Sequence, residues 1–401
     1  MSSLKITAVE TFVVQPWAWP LCIVRVQTNQ PGLYGLGCAS YKHRFHAVKA
    51  ALDQHVAPFV IGKDPHNIED LWQSGNVNGY WRNGPVLNAA LGGIDLALWD
   101  IKGKAANLPC YQLWGGKSRA GVPVYVTAHG KTAEQVAANG RKFLDQGYHH
   151  LRLQLYCYEG MPLDEQRKPE GAPPGLYFDQ RERLVSVPEM FAVARRELGN
   201  DVELLHDAHE RLAPIDAIWL AKALEPHRPF FLEDPVAPED MGWLPQLRAQ
   251  SATPIALGEL FANPAEYVPA ISNRWVDFIK VRPVRLGGIT PTLKMLHLAE
   301  SFGIRFCLHG PGDNSALGAA ANVHLSTALH NHGILEWVFR PQAEADLFPG
   351  LPEARRGHVY VSDKPGLGMD FNESLVAKFP PKDEPITDTI TRLPDGTIWW
   401  P

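Results

Sequence analysis

Three short apolar runs in the second half of the chain each end in an acid, and the acids are evenly spaced. The runs read LLHDAHE with Asp207, FFLEDP with Glu233 and PIALGEL with Glu259, so consecutive acids stand 26 residues apart. A buried strand, a turn, a covering helix and a return turn fill about that length in a β/α unit, and equivalent strand ends of a parallel sheet lie side by side. The spacing therefore brings three carboxylates together. Like charges in one place need a counter-charge, and an all-oxygen trio suits a hard divalent cation that keeps open positions for water or substrate. Three ordinary strand-end acids, facing solvent or salt-bridged, would not need to share a register. The trio predicts a Mg²⁺ site.

The same rhythm extends on both sides. Strands are expected at VPVYVTA, HHLRLQL, VELLHD, FFLEDP, PIALGE, VDFIKV, IRFCLHG and GILEWV, with helical segments such as AEQVAANGRKFLDQG, PIDAIWLAKALE and PTLKMLHLAESFG separating most of them. Eight strands in such alternation make an α/β chain of the TIM-barrel type, whose chemistry sits at the C-terminal ends of the strands. Ahead of it, residues 4 to 28 and the run LYGLGCAS alternate apolar and polar residues as an antiparallel meander does. Helical periodicity follows, most clearly in VLNAALGGIDLALWDIKGKAA. The expected division is a 1–120 α+β capping domain, a 121–340 barrel, and a 341–401 segment that completes the cap and the barrel rim.

Composition narrows the partners. A formal charge of −5 with scattered Lys and Arg leaves no basic surface to neutralise phosphates, so nucleic acid is not expected as a partner. No apolar run approaches a membrane span and the N-terminal stretch lacks a signal pattern, so no membrane association and a cytoplasmic location are expected. The five cysteines are widely separated and form no C-x-x-C pair, which points to reduced, buried thiols.

Reading the end of each expected strand gives a polar ring. It holds Thr127 and His129, Arg152 and Gln154, Asp207 and His209, Glu233, Glu259, Lys280 and Arg282, His309 and Asp313, and Glu336. Residues i and i+2 on a strand share a face, so the pairs can enter one cavity. A cation on three carboxylates chelates a substrate carboxylate and stabilises the enediolate left by α-proton removal. Histidine supplies proton transfer near neutral pH, which makes His209 and His309 the candidate acid and base. Lys280 and Arg282 serve either as ion-pair partners of the acids or as substrate contacts. Trp81 and Arg82, in NVNGYWRNGPV, belong either to a surface loop or to a substrate lid, and the long connection 156–178 reads as a functional loop.

Across YWRNGPV, ALGGIDLALWDIKGKAANLPCYQLWGG, LLHDAHERLAPIDA, FFLEDPVAPED, LGELFANP, GGIT and CLHGPGD, the chain resembles the enolase superfamily. Within it the match is to the mannonate dehydratase subgroup that includes starvation-sensing proteins. The resemblance implies a modified (β/α)₇β barrel under an N-terminal cap, Mg²⁺ on Asp207, Glu233 and Glu259, and a homo-oligomer. It places Arg152, His209, His309 and Glu336 on active-site positions, with His209 as the acid at the departing hydroxyl. The implied reaction is loss of water from an aldonic acid, such as D-mannonate or D-gluconate, to give a 2-keto-3-deoxy acid.

Several positions depart from the pattern. Arg152-Leu153-Gln154 stands where racemase-type members carry K-x-K, and Arg282 stands where they carry an aspartate. Asp164 falls at the place of the subgroup's tyrosine base, leaving Tyr156, Tyr158 and Tyr177 as alternatives. Thr127, His129 and Lys42 replace a histidine and two asparagines. An epimerase, racemase or cycloisomerase sharing the enediolate is the second enzymatic reading, and a metal-binding sensor with weak turnover is the reading of another class.

Overall fold

The computed structural model describes residues 4–156, 169–384, 386 and 390–399. Strands β1 (Ile6–Val14), β2 (Leu21–Thr28) and β3 (Tyr34–Cys38) form an antiparallel sheet in chain order. Against it lies the helix Pro85–Ala106, begun by a proline in its first turn and ended by Asn107 in a left-handed conformation. The approach is close because β3 carries glycines. A Cβ on Gly35 would collide with the Ala97 carbonyl, and one on Gly37 with the Gly93 carbonyl. Buried Asp100 on this helix accepts the Leu36 and Leu367 N–H groups at 2.9 and 2.8 Å and pairs with Lys104 at 2.7 Å.

The opposite face of the same helix meets the second domain. Asp95 accepts the Thr290 N–H at 3.0 Å, at the start of the helix Ile289–Ser301, so an acid from one domain caps a helix of the other. Asn88 donates to the carbonyls of Ala262 and Arg285 at 2.8 and 2.7 Å.

That second domain is a closed parallel barrel. Strand β4 (Val122–Gly130) pairs with β5 (His150–Leu155); after a short outlying strand β6 (Leu176–Tyr177) come β7 (Glu203–Asp207), β8 (Phe231–Glu233), β9 (Ile255–Leu257), β10 (Phe278–Val281), β11 (Arg305–Leu308) and β12 (His332–Glu336). Strand β12 pairs back to β4 and closes the ring. Among the described residues, seven linking helices separate the eight strands, from Ala133–Asp145 to Ala316–Ala328. The expected (β/α)₇β barrel under an antiparallel cap is therefore the observed fold.

The barrel interior is layered. Tyr125, Leu205, Phe231, Ala256, Phe278, Cys307 and Ile334 pack together inside the ring as an apolar floor. Two residues further along the same strands come Thr127, Asp207, Glu233, Gly258, Lys280, His309 and Glu336. Because side chains alternate faces, the second set stands one pleat above the first, toward the cap. The polar ring is thus the layer where the packed core stops.

After β12 the chain returns to both domains. Strand β13 (Ala354–Arg355) pairs with β14 (His358–Val359), which pairs antiparallel with the start of β4. Glu373 pairs with Arg25 at 2.9 Å and Asp370 accepts from the Tyr34 hydroxyl at 2.7 Å, both on the capping sheet. Strand β15 (Thr391–Arg392) joins β6 in parallel and β16 (Ile398–Trp399) in antiparallel fashion. Among the described residues, no helix is long and apolar enough to cross a membrane.

Candidate active site

Asp207 is the last residue of β7 and Glu233 the last of β8, and the two are direct partners in the parallel register. Glu233 in turn pairs with Ala256, so Glu259 lies three residues beyond the matching level of β9. Equal spacing in sequence therefore does not give equal height, because neighbouring strands of a closed barrel are staggered. Asp207, Glu233 and Asp234 each offer a ligand oxygen within 4.8 Å of the others. Asp234 is turned inward by a left-handed backbone, φ 40°, and accepts the Gly258 N–H at 3.3 Å. Glu259 faces the same space from higher up, 3.1 Å from Lys280 Nζ and 3.2 Å from His309 Nε2.

Two buried cations hold these acids in place. Arg152 on β5 reaches Asp207 Oδ2 at 3.0 Å, Glu336 Oε1 at 3.1 Å and Glu233 Oε1 at 3.7 Å, and its Nε donates to Thr127 Oγ1 at 3.1 Å. Lys280 on β10 donates to Glu233 and lies 3.5 Å from Glu336 as well as close to Glu259. Both cations are buried, as are Asp207, Glu233 and Glu336. Burial alone would raise the Asp207 carboxyl, but His209, Arg152 and Lys280 together hold it well below the usual carboxylate range. Burial also opposes ionisation of Glu336, and Lys280 and Arg152 bring it below its ordinary value. Glu259 goes the other way: burial first, then Asp207, Glu210 and Glu336, push it well up.

The two histidines flank the acids from separate strands. His209 Nε2 lies 2.9 Å from Asp207 Oδ2, and its backbone N–H donates to Asp207 Oδ1 at 2.9 Å. That turn is built from left-handed residues, His209 at φ 50° and Glu210 at φ 61°. His309, at the end of β11, has its peptide carbonyl fixed by Asn322 at 3.1 Å, while Gly310 N–H donates to Glu336 at 3.0 Å. Burial, with Lys280, Arg282 and Arg152, pushes the His309 imidazole well below its ordinary value, so it is neutral and able to accept a proton.

Arg282 does not reach the acids. Its guanidinium binds the carboxylate of Asp313 at 3.0 Å and the Asp313 carbonyl at 2.9 Å, with the Ser40 carbonyl at 3.4 Å. This pair forms a separate rim toward the cap. There Trp17 packs on Gly312 so closely that a Cβ on Gly312 would stand 2.6 Å from its ring, and Lys42 lies 4.0 Å over the Trp19 ring.

The remaining candidates spread out. Gln154 lies 3.5 Å from the Asp207 carbonyl and pairs in register with His129 at the end of β4. Tyr156 takes a left-handed φ of 52° at the end of β5, and its N–H donates to the Gly130 carbonyl at 2.9 Å. Tyr177 donates its hydroxyl to the Pro173 carbonyl at 2.7 Å. Tyr158 and Asp164 lie outside the described residues. Trp81 and Arg82 stand in solvent on the turn between the helices Ile68–Asn78 and Pro85–Ala106; Trp81 is 80% exposed, with its ring 5.1 Å from that of Tyr80. A cavity opens beside Asp207 and His209, lined further by Gln154, Phe178, Arg183 and Arg211.

Sequence reasoning passed over Asp234 and Tyr125. Asp234 directly follows a proposed ligand, and the strand alternation that would point it outward is broken by its left-handed φ. Tyr125 stands on the floor with its hydroxyl 3.4 Å from Glu233 Oε2, two residues before Thr127. Inward alternation along VPVYVTA was the available signal for it.

Residues 136–375 match the model of the enolase C-terminal domain-like family, and residues 7–115 match the N-terminal domain of mandelate racemase / muconate lactonizing enzyme. The chain belongs to the enolase superfamily. Within the superfamily it is 49% identical to the D-galactonate dehydratase family member RspA of Pantoea ananatis, with all of both chains covered. A D-galactonate dehydratase family member of Musicola paradisiaca is 47% identical over 99% of each chain. The chain is thus a dehydratase-family member of the enolase superfamily. A crystal structure of an enolase from Pantoea ananatis with bound D-gluconate and Mg superposes with a TM-score of 0.97, at 48% identity and full coverage of both chains. A mandelate racemase-like superfamily structure from Bordetella bronchiseptica, complexed with 2-oxoglutarate/phosphate, matches at 28% identity and TM-score 0.82, over 96% of this chain and all of that one.

Proposed function

We propose that this protein is a Mg²⁺-dependent hydro-lyase that removes water from an aldonic acid to give a 2-keto-3-deoxy acid. The observation that carries the reading is the placement of two histidines, His209 and His309, on either side of a buried group of strand-end carboxylates. The donor set is all oxygen, with Asp207 and Glu233 buried and Glu259 partly so, which fits a hard divalent cation that keeps open positions. We assign Asp207, Glu233 and Glu259 to hold it, because the Lys280 ammonium already marks a place for positive charge between Glu233 and Glu259. When bound, the cation supplies the charge that stabilises an enediolate.

The chain's own groups do the rest. His309, neutral by burial, takes the proton from carbon 2. Tyr156, and Tyr158 in the segment beyond the described residues, are the alternative bases. His209, oriented by Asp207, gives a proton to the departing hydroxyl at carbon 3, and Arg152 keeps Asp207 and Glu336 ionised and placed. Gln154, Lys280 and Glu336 contact the sugar acid from the ring, and Arg282 with Asp313 shapes the rim on the cap side. Trp81 and Arg82 act from the exposed cap turn. The protein assembles as a homo-oligomer, a reading supported by the exposed Tyr80 and Trp81 tip and tested by light scattering in solution, and it works in the cytoplasm.

Three substrates come into view: D-gluconate, bound in the Pantoea structure; D-galactonate, named for the relatives; and D-mannonate, from the sequence resemblance. Incubation of each with enzyme and Mg²⁺, followed by detection of a 2-keto-3-deoxy product, tests the reading. Formation from at least one supports it. Exchange of the carbon-2 proton with solvent deuterium and no dehydration would instead select an epimerase, and inertness in both assays would favour a metal-binding sensor.

A further inference from the structure

Lys280 is the most deeply buried cation of the site, with a side chain that has no solvent exposure. It stands on β10 one pleat above Phe278, and its ammonium is bonded to Glu233 and lies 3.1 Å from Glu259 and 3.5 Å from Glu336. An ammonium taken out of water is tolerated only when its donors are met by acids or carbonyls, and three carboxylates meet them here. Two of those three, Glu233 and Glu259, are the residues to which the cation was assigned above.

We propose that Lys280 is an internal counter-cation that competes with the divalent ion for Glu233 and Glu259. The inference rests on the metal reading of the site. Two positive charges cannot share the same carboxylate oxygens in a low-dielectric interior without strong repulsion. Entry of the ion turns the ammonium away from Glu233 and Glu259. Glu336 is the nearest alternative, already within 3.5 Å and held ionised by Arg152 and the Gly310 N–H. The four-carbon stem and freely rotating donors of lysine suit such a move, whereas a rigid guanidinium fork would not.

A consequence is coupling between metal and substrate. Once displaced, the ammonium is short of acceptors, and the carboxylate of an incoming sugar acid provides one. Metal and sugar acid therefore strengthen each other's binding, by equal factors in both directions. Without a sugar acid, the lysine weakens metal binding; with one, that penalty is relieved.

Calorimetric titration of Mg²⁺ into the wild type, K280M and K280Q, each with and without D-gluconate, tests this. Without gluconate both variants are expected to bind Mg²⁺ on the order of tenfold more tightly than the wild type. Gluconate is expected to tighten Mg²⁺ binding in the wild type and to do so less in the variants. Thermal unfolding without metal should show both variants less stable than the wild type, with the loss recovered by Mg²⁺. Should K280M not fold free of metal, its recovery on Mg²⁺ addition supports the proposal, and failure to recover in both variants counts against it. Mg²⁺ affinity in the variants equal to or weaker than the wild type overturns the proposal alone. No Mg²⁺ binding by any of the three proteins overturns the metal reading itself.

Discussion

Glu259 faces the acid pair Asp207 and Glu233 from three residues further along the barrel than Glu233, and it meets Glu233 through Lys280. The ammonium lies between Glu233 and Glu259, while Asp234, level with the pair, spends one oxygen on the Gly258 N–H. Height and partner together decide which acids take part in binding a cation. A carboxylate that faces a buried ammonium stands where positive charge is already accommodated, and a metal ion can take that place. Burial and neighbouring acids push Glu259 and Asp234 alike toward the neutral form, so the two differ in partner: Glu259 faces Lys280 and His309, whereas Asp234 accepts a backbone N–H.

The ligand set can accordingly be separated by substitution. Glu259→Gln is expected to weaken Mg²⁺ binding by about tenfold or more, and Asp234→Asn by much less. Calorimetry on the two variants gives the answer directly. A larger loss in Asp234→Asn would move the third ligand from β9 to the residue after β8.

His209 and His309 should fail in different ways. With His209→Asn the hydroxyl loses its proton donor while His309 remains, so dehydration is expected to fall by about 10²–10⁴-fold. Exchange of the carbon-2 proton in deuterated buffer should persist. With His309→Asn both dehydration and exchange should fall. Retention of exchange in His309→Asn would return the base to a tyrosine of the 156–178 connection.

Asp95, far from this chemistry, sets a pH dependence of stability. Burial, only partly offset by its bonds to Thr290, pushes its carboxyl up to about 7. In the unfolded chain an aspartate titrates near about 3.9. Between these values the folded state holds a proton that the unfolded state has lost, so stability falls as pH rises through that window. Asp95→Asn removes this term while keeping an acceptor for the Thr290 N–H. Its melting temperature relative to the wild type should therefore climb from pH 5 to pH 8. A constant difference across that range would show Asp95 to be ionised in the fold.

Much of this arrangement could be read from residues because strand alternation is local. The period of two that puts Phe231 on the floor puts Glu233 in the ring, and the same holds for Leu205 with Asp207 and Phe278 with Lys280. The β/α alternation pointed to the barrel by the same logic, and the apolar–polar alternation of residues 4 to 28 pointed to the antiparallel cap. What escaped depends on relations between elements. Stagger lifts Glu259 above its partners, a left-handed φ turns Asp234 inward, and Arg282 is drawn to Asp313 in the turn after the next strand instead of following Lys280. The Trp81 and Arg82 turn reads in sequence either as a surface loop or as a substrate lid, and in the fold it stands in solvent at the edge of the cap.

The central claim is that these carboxylates hold a divalent cation for sugar-acid dehydration, and metal removal and return test it most directly. The enzyme stripped with EDTA, freed of chelator and supplied with the sugar acid it turns over, should form no 2-keto-3-deoxy product. Added Mg²⁺ should restore the reaction in the wild type and not in Glu233→Gln. Undiminished turnover in the stripped enzyme, or equal restoration in Glu233→Gln, would contradict the account.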